Sequence, residues 1–369
     1  MYICISYTMR KTILIPLLLF LCCFNSYGQW DYTIPHPKAT APKEDTVKMI
    51  MIGDVMMHSR QLEYDFNSFF VKMRHILSGA DITVAGMEFT LAGQPYTGYP
   101  SFSAPDAYAS YLADCGVDIF LTANNHILDK GSAGLTRTMA VYDGMKESVK
   151  FTGTGSSKED FEARNPLFFV CRGLRFALLN FTYGTNCPSD RAWPKPALMD
   201  RAELSEAIGR AKERKVDFII AMPHWGDEYE LIHNEVQQEW AEWLAGEGVN
   251  LIVGAHPHVV QDTTHVRGVP VVFSMGNAVS NMSARNTRLE LAVRSRFVAH
   301  ADGRREMLEP ELVFLWCTLP GTLTGSYATI PVEEWLGKRE RWMDPSDYDN
   351  MVATYERVTK TTNIHEENH

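Results

Sequence analysis

Seven short apolar runs alternate along the chain with amphipathic stretches, and this alternation limits the folds open to the sequence. The runs have the length and the continuous apolar character of strands that are buried on both faces. The amphipathic stretches have helical length and spacing; one has Pro105 near its start, and two others open at Asp200 and Asn234, which are favourable N-cap residues. This alternation predicts an α/β architecture with a largely parallel sheet. The runs are VKMIMIGDV, ITVAGMEF, DIFLTANN, RFALLNFTY, DFIIAMPHW, NLIVGAHPH and VPVVFSMGN.

Most of these runs end in an acid, an amide or a histidine. In an open α/β sheet, ligands bind beyond the carboxyl ends of the strands, so side chains that are distant in sequence are predicted to meet there. Carboxylate, amide oxygen and imidazole are ligands for Mn, Fe, Zn and Co, and six of them exceed what one ion needs. We therefore predict two divalent ions, bridged by an acid and about 3.5–4 Å apart. The candidate ligands are Asp54, Glu88, Asn125, His224, His256 and His258.

Each candidate also has an ordinary structural role open to it. Asp54 is suited to capping a helix, Glu88 to pairing with a base, and His224 to a place in the core with its hydrogen bonds satisfied. Their joint occurrence at successive strand ends is what favours a functional site. The histidines outside this set that have the typical context of surface or capping residues are His75, His233, His265 and His300.

The segment GAHPH, residues 254–258, places two of the histidines around a proline. In extended backbone, residues two apart point to the same side, with their Cα atoms about 6.5 Å apart. Proline also disfavours a helical conformation of the residue before it. We predict that both rings face one crevice from an extended segment, and that Gly254 allows a close approach of the backbone.

The balance of charge limits the partners. The chain has 35 basic and 45 acidic residues, and its first 28 residues contain two of the basic ones and none of the acidic ones. Without those residues the formal net charge is −12, which disfavours nucleic acid and anionic lipid as partners. An anionic substrate would need local positive potential, for which a metal ion, Arg285 and Arg288 are candidates.

The chain divides into four predicted segments. Residues 1–28 have the pattern of a secretory signal peptide, residues 29–45 of a flexible leader, residues 46–335 of one domain with a β-rich end, and residues 336–369 of an extension with a disordered tail. The protein is therefore expected to be exported, to the periplasm or the cell surface. A lipid anchor on Cys22 or Cys23 is disfavoured because bulky Phe20 and Leu21 precede them. The spacing of Cys115, Cys171, Cys187 and Cys317 does not identify a disulfide pair, which export would permit, and the absence of a C-x-x-C motif disfavours a zinc knuckle.

Seven motifs, in this order and spacing, resemble the CapA family of poly-γ-glutamate capsule biosynthesis proteins. The resemblance covers about residues 46–290. The family is in turn similar to calcineurin-like metallophosphoesterases, which implies an α/β fold of four layers, an α-β-β-α sandwich, with two metal ions at the strand ends. The motifs are IMIGDVMMHSRQ, GMEF, LTANNHILDKG, FTYGTN, MPHWGDEY, GAHPHVVQ and SMGN.

The resemblance also implies roles for individual residues. The six candidate ligands would hold two divalent ions, of Mn, Fe or Zn, and His126 would act beside them as an acid. Arg60 would hold an anionic substrate. Three residues of the motif FTYGTN would line the pocket: Thr182, Tyr183 and Asn186.

The sequence departs from the phosphoesterase pattern at two places, and it leaves the function open. Met56 stands where Asp-x-His would place a histidine, His58 follows two residues too late, and Glu88 replaces a bridging aspartate. One hypothesis is a metal-dependent hydrolase that cuts a phosphoester or an amide of poly-γ-glutamate. A second is a non-catalytic factor that binds or exports that polymer, in contact with membrane proteins of capsule synthesis. A third is a general phosphoesterase.

Overall fold

The computed structural model describes residues 45–188 and 192–364, which form sixteen strands and eight α-helices. The predicted signal peptide, and the predicted leader except for Asp45, lie outside the described residues. The strands are β1 (Asp45–Val55), β2 (Ile82–Met87), β3 (Ile119–Leu121), β4 (Lys150–Thr152), β5 (Thr154–Gly155), β6 (Leu167–Cys171), β7 (Leu174–Thr182), β8 (Lys195–Pro196), β9 (Phe218–His224), β10 (Leu251–Val253), β11 (Thr263–Val266), β12 (Val269–Val272), β13 (Leu289–Ala299), β14 (Arg305–Met307), β15 (Glu311–Thr318) and β16 (Ala328–Pro331). The helices are α1 (Arg74–Leu77), α2 (Asp106–Asp114), α3 (Gly131–Gly144), α4 (Lys158–Arg164), α5 (Arg201–Glu213), α6 (Glu235–Gly246), α7 (Val332–Trp335) and α8 (Pro345–Thr362).

The predicted strands divide between two mixed sheets. The first has the order β16-β15-β13-β1-β2-β3-β4, with β14 beside β13; β1 to β4 are parallel, and the later strands are antiparallel. The second has the order β11-β12-β10-β9-β7-β6, with four parallel strands between two antiparallel edges. The seven predicted strands are therefore all of the parallel strands of both sheets except β4, and the β-rich segment after residue 281 extends the first sheet.

The two sheets pack face to face with helices outside each of them, which confirms the predicted α-β-β-α sandwich. Alternate residues of β1 show the layering, because Met49 and Met51 belong to the core between the sheets, while Ile50 and Ile52 face the helices. On the second sheet, Ile220 faces the inner core. Both faces of these strands are buried, which explains why their sequences are continuously apolar. Each fully buried side chain of this size contributes about 1.5–3 kcal/mol relative to exposure.

The predicted helix starts are also found. Pro105 precedes α2, the Asp200 side chain accepts from the backbone N–H groups of Ala202 and Glu203, and Asn234 forms a capping box with Gln237. Each cap satisfies N–H groups that have no partner within the helix. No helix of the described ranges is long and apolar enough to span a membrane. The four cysteines of these ranges are free thiols.

The extension predicted from residue 336 is part of the sandwich as far as residue 364. Trp342, Met351, Val358 and Ile364 belong to the core between the sheets, so α8 closes one side of it. The predicted disorder of the tail does not apply to residues 361–364, which end α8 with Asn363 in a left-handed conformation, and residues 365–369 lie outside the described residues.

A buried ion pair ties α8 to the first sheet. The guanidinium of Arg288 donates to both carboxylate oxygens of Asp347, at 2.6 and 2.7 Å, and lies over the ring of Trp316. Both side chains are 10% exposed or less. The expectation that Arg288 adds to the positive potential for an anion is therefore wrong, because Asp347 neutralises it.

We expect Asp347→Ala to lower the free energy of unfolding by about 3 kcal/mol, because it leaves the Arg288 guanidinium buried without its counterion. Asp349→Ala is the matched control, since its ion pair with Arg339 is more than half exposed and is worth about 1 kcal/mol or less. Urea unfolding of the two variants measures the difference. Equal losses would contradict a structural role for the buried pair.

Candidate metal centre

The six predicted ligands come together where the carboxyl ends of the parallel strands of both sheets meet. The first sheet supplies Asp54 near the end of β1, Glu88 directly after β2 and Asn125 after β3. The second sheet supplies His224 at the end of β9 and the two histidines of GAHPH after β10. All six are 3% exposed or less. Clustering at the strand ends is what the sequence predicts, and the crevice lies between two sheets instead of along one.

Local backbone features aim Asp54 into the cluster. The pairing of β1 with β2 shifts register between Ile52 and Asp54, which is a bulge of the kind that re-aims side chains beside functional sites. Gly53 is required at the bulge, because a Cβ there would lie 2.0 Å from the carbonyl oxygen of Gly276. The Gly53 N–H donates to the buried carboxyl of Glu290 at 2.7 Å.

The cluster contains two groups of potential ligands that share one carboxylate. Glu88, His224 and His256 form one group, and Asp54, Glu88 and His258 form the other; within each, the ligand atoms lie within 4.8 Å of one another. Glu88 Oε1 is 3.7 Å from His224 Nε2, and Glu88 Oε2 is 3.7 Å from His258 Nδ1. Asn125 joins the first group, since its Oδ1 lies 2.7 Å from His224 Nε2. One oxygen of Glu88 therefore faces each group.

The carboxylate of Glu88 fits a metal site because nothing else in the described chain satisfies it. Both of its oxygens are buried without a hydrogen-bond partner, and so is Nδ1 of His256. A buried carboxylate is strongly destabilising unless it is paired or coordinates a metal. The donor set of carboxylate, imidazole and amide oxygen suits Mn, Fe or Zn. The residues present thus fit divalent ions.

The GAHPH segment is not extended, and that prediction is wrong. β10 ends at Val253, and the backbone φ angles of His256 and His258 are +102° and +58°. The His256 N–H donates to Asp54 Oδ2 at 3.0 Å, so the turn is held by a ligand from the other sheet. The two rings nevertheless lie in one cluster, with their centroids 5.9 Å apart. The prediction for Gly254 is confirmed, because a Cβ there would lie 2.1 Å from the carbonyl oxygen of Phe273.

Burial sets the protonation of the cluster. It raises the pKa of Asp54 to about 7, against the opposing hydrogen bond from His256, and it raises the pKa of Glu88 well above its usual range, with the charge of Asp54 adding to the effect. It lowers the pKa of His256 to about 3 and that of His258 to about 4. Near neutral pH the imidazoles of His256 and His258 are therefore neutral, which is the state that binds metal, while burial shifts the carboxyl groups of Asp54 and Glu88 toward their protonated forms.

His126 lies beside the ligands with one ring nitrogen already bound. Its Nδ1 lies 2.8 Å from Asp129 Oδ2, which also accepts from the Phe102 N–H. Because a carboxylate only accepts, His126 Nδ1 is the donor and Nε2 is left to exchange a proton. Nε2 lies 3.9 Å from Glu88 Oε1, and the ring packs edge-on against Phe102. The orientation of this imidazole is therefore fixed toward the cluster.

Asp129 is a residue of the site that is absent from the predicted set. Its signal was present in NNHILD, where an acid follows the histidine three residues later within an apolar context. Two further contacts of His258 were also not predicted. Its Nδ1 lies 2.9 Å from Asn277 Oδ1, and its ring lies 6.4 Å from the ring of Tyr229. Tyr229 is 43% exposed, and nothing in its sequence context separates it from an ordinary surface tyrosine.

Two of the three predicted pocket residues lie against the cluster. The Tyr183 ring is 4.6 Å from the His256 ring and 48% exposed, and Asn186 Nδ2 is 3.4 Å from both ring nitrogens of His126. Thr182 is buried at the end of β7, and its hydroxyl donates to the Gly184 carbonyl within its own loop. Their roles toward a substrate stay predictions.

Arg60, predicted to hold an anion, lies on the surface. Its guanidinium contacts the carboxylate of Glu63 and the hydroxyl of Tyr64, and no contact within the described ranges joins it to the six ligands. Met56 is buried in the core between the first sheet and its helices. His58 lies near the cluster, but its Nδ1 already lies 3.1 Å from Gln61 Oε1 and 3.3 Å from the backbone nitrogen of Asn281.

We expect the affinity for Mn²⁺ or Zn²⁺ to fall as the pH is lowered from 8 to 5, with release of protons on binding at pH 6. The raised pKa of Asp54 means that this carboxyl still holds a proton at pH 6, and a cation must displace it; the imidazoles, neutral down to about pH 4, contribute none. Titration calorimetry in two buffers of different ionisation enthalpy counts the protons. Asp118→Asn, which removes another buried carboxyl with a raised pKa, is the control and leaves the count unchanged. A pH dependence confined to values below 5 would contradict the assignment.

Comparison with known proteins places this site in a family. The family described as "Bacterial capsule synthesis protein PGA_cap" matches residues 48–282, a range that contains all six candidate ligands. Two similar relatives are the capsule biosynthesis protein CapA of Bacillus anthracis, 24% identical, and the PGA biosynthesis protein CapA of Bacillus subtilis (strain 168), 25% identical. The alignments cover 69% and 75% of this chain and 66% and 75% of those proteins.

Solved structures with a similar arrangement share little sequence. The NAD nucleotidase of Haemophilus influenzae is 13% identical, with a TM-score of 0.47, over 86% of this chain and 68% of that one. The 5'-nucleotidase of Candida albicans SC5314 is 11% identical, with a TM-score of 0.41, over 90% and 60% of the two chains. The resemblance that the motifs indicate is confirmed by the match over residues 48–282: the chain belongs to the bacterial capsule synthesis protein PGA_cap family.

Proposed function

We propose that the protein is an exported, metal-dependent hydrolase of capsule biosynthesis that acts on an anionic polymer such as poly-γ-glutamate. The observation that carries the proposal is the buried Glu88 carboxylate, which has no hydrogen-bond partner among the described residues and is shared by two groups of potential ligands. A structural ion would need only one such group, whereas two groups joined by an acid are typical of hydrolytic sites with two metals.

Glu88 is proposed to lie between two divalent ions of Mn, Fe or Zn. His224, His256 and Asn125 would complete one side, and Asp54 and His258 the other. When bound, such ions supply the positive potential that polarises a phosphoryl or carbonyl oxygen and lowers the pKa of water. The same charge attracts an anionic substrate to a protein whose formal net charge is strongly negative.

His126 is proposed to move the proton. Asp129 holds Nδ1–H, so Nε2 is the atom that would exchange the proton: the doubly protonated ring gives its Nε2 proton to the leaving group and returns to the neutral imidazole. Asn186 and Phe102 restrict the ring, and the burial of the ring, which is 4% exposed, limits competing water. At the more exposed side, the rings of Tyr183 and Tyr229 are proposed to position the substrate over His256 and His258.

A non-catalytic role in binding or exporting polyglutamate is the second candidate, and one observation favours it. Met56 occupies the position at which phosphoesterases of this pattern carry a metal-binding histidine, and its side chain is 2% exposed within an apolar core. One imidazole is therefore absent from the Asp54 side. A binding factor would need a charged pocket but no proton donor, so His126 separates the two candidates.

We expect His126→Ala to reduce turnover at least about 100-fold while metal content stays at the wild-type level, because a positioned general acid contributes about 10²–10⁴. The assay uses poly-γ-glutamate and a generic phosphodiester, and mass spectrometry measures bound Mn, Fe and Zn. His75→Ala is the control, since His75 lies on the surface and pairs with Glu334. A protein that binds the polymer stoichiometrically without metal or turnover is the binding factor and not the hydrolase. Turnover of the phosphodiester alone identifies a general phosphoesterase.

Asp129→Asn is expected to lower kcat about tenfold or more, with little change in KM and in metal content. The amide no longer holds the imidazole in the tautomer that keeps Nε2 available, while the ligands of the ions are untouched. Steady-state kinetics on the same substrates measure the two constants separately. A rise in KM with unchanged kcat would show that Asp129 acts on binding instead of on proton transfer.

A further inference from the structure

A second polar pocket of about 360 Å³ lies between the loop of residues 281–288 and α8, outside the metal centre. Three arginines line it, and none of the described residues that line it is acidic. The chain has 35 basic and 45 acidic residues and is therefore negative as a whole, whereas the charged side chains that line this pocket are positive. The arginines are Arg285, Arg288 and Arg357.

Within the described residues, two of these arginines have no carboxylate partner. Arg288 is paired through both guanidinium nitrogens with Asp347. Arg357 donates to the side-chain oxygens of Asn286 and Thr354, which are neutral. Arg285 is exposed, and no carboxylate of the described chain lies within ion-pair distance of it. Two guanidinium groups that have no carboxylate partner within the described ranges therefore line one cavity.

The two groups lie close enough to repel each other. Burial lowers the pKa of Arg357, and the charge of Arg285 lowers it further. An anion between like charges removes this repulsion, and guanidinium groups bind carboxylates and phosphates through paired hydrogen bonds. The hydrogen bonds to Asn286 Oδ1 and Thr354 also hold the Arg357 guanidinium in place before an anion arrives.

A short, well-held segment connects this pocket with the metal centre. Asn277 lies 2.9 Å from the ring of His258, and its amide nitrogen is 3.4 Å from the sulfur of Met282, which lines the pocket. Asn281, also in the pocket wall, donates its N–H to His58. The Cα atoms of Asn277 and Asn281 are at most about 14 Å apart, because only four peptide units join them, so one wall of the pocket lies near the metal centre.

We propose that this pocket is a second anion-binding site, which takes a carboxylate of an acidic polymer whose neighbouring units lie in the metal centre. The binding of an oxyanion by the pocket follows from the arginines alone. The choice of a polymer of glutamate rests on the proposed function. In this arrangement the pocket sets which part of the polymer reaches His126, and it favours polymers with regularly spaced charges over single small anions.

The test is a calorimetric titration of the purified protein with a γ-linked glutamate oligomer and, separately, with inorganic phosphate. Each titration is run with metal loaded and after removal of metal by a chelator. We expect the oligomer to bind the metal-free protein, and Arg285→Gln to weaken that binding about tenfold or more, as the loss of a charged hydrogen bond does. Arg201→Gln is the matched control, because Arg201 is an exposed arginine on α5, which packs outside the second sheet.

Unchanged affinity in Arg285→Gln overturns the inference. If the oligomer binds only with metal present and Arg285→Gln has no effect, the polymer is held by the metal centre alone; the second site is then excluded, and the proposed function stands. If phosphate binds in an Arg285-dependent way and the oligomer does not, the assignment to a carboxylate polymer is overturned. If the wild-type protein binds no metal but still binds the oligomer through Arg285, the second site stands and the proposed hydrolase fails.

Discussion

The buried carboxylate of Glu88 is the interaction on which the account of this protein depends. It lies at the junction of the two sheets, is fully buried and has no hydrogen-bond partner in the described chain for either oxygen. A carboxyl in that position is tolerated only as a neutral acid or as a ligand for cations. The imidazoles of His256 and His258 are held neutral by burial, so they do not serve as counterions, and a divalent ion is the proposed partner for the ionised form of this carboxyl.

The packing of the two sheets places the Glu88 carboxyl and the other candidate ligands in one buried crevice. Each sheet has four parallel strands whose carboxyl ends face the same crevice, and the large apolar core between the sheets holds those ends together. The bulge at Gly53 and the turn at GAHPH then direct the ligands inward, and the His256 N–H joins the turn to Asp54 across the two sheets. The site is therefore a consequence of sheet packing, and mutations that loosen the inner core are expected to act on metal affinity as well as on stability.

The parallel strands and the six candidate ligands were predictable from the sequence. Strands that are buried on both faces produce continuous apolar runs, and a polar residue at the end of such a run is easily recognised. The helix starts at Asp200 and Asn234 were also predictable, because N-capping depends on the local sequence. The left-handed conformations of His256 and His258 were not readable, because non-glycine residues rarely adopt them and a contact with the other sheet supports them. The ion pair of Arg288 with Asp347 joins residues that are 59 positions apart in the sequence, so no local sequence pattern predicts it.

The proposed role of Glu88 is to hold two divalent ions, one together with His224 and His256 and the other together with Asp54 and His258. Anomalous X-ray scattering from crystals of the purified protein, recorded above and below the absorption edges of Mn, Fe and Zn, tests it most directly. We expect two anomalous peaks in crystals of the wild-type protein, one beside His224 and His256 and the other beside Asp54 and His258. Both peaks are expected to be lost in Glu88→Gln. A wild-type crystal without anomalous peaks, in which Glu88 is a protonated acid in an ordinary hydrogen bond, would contradict it.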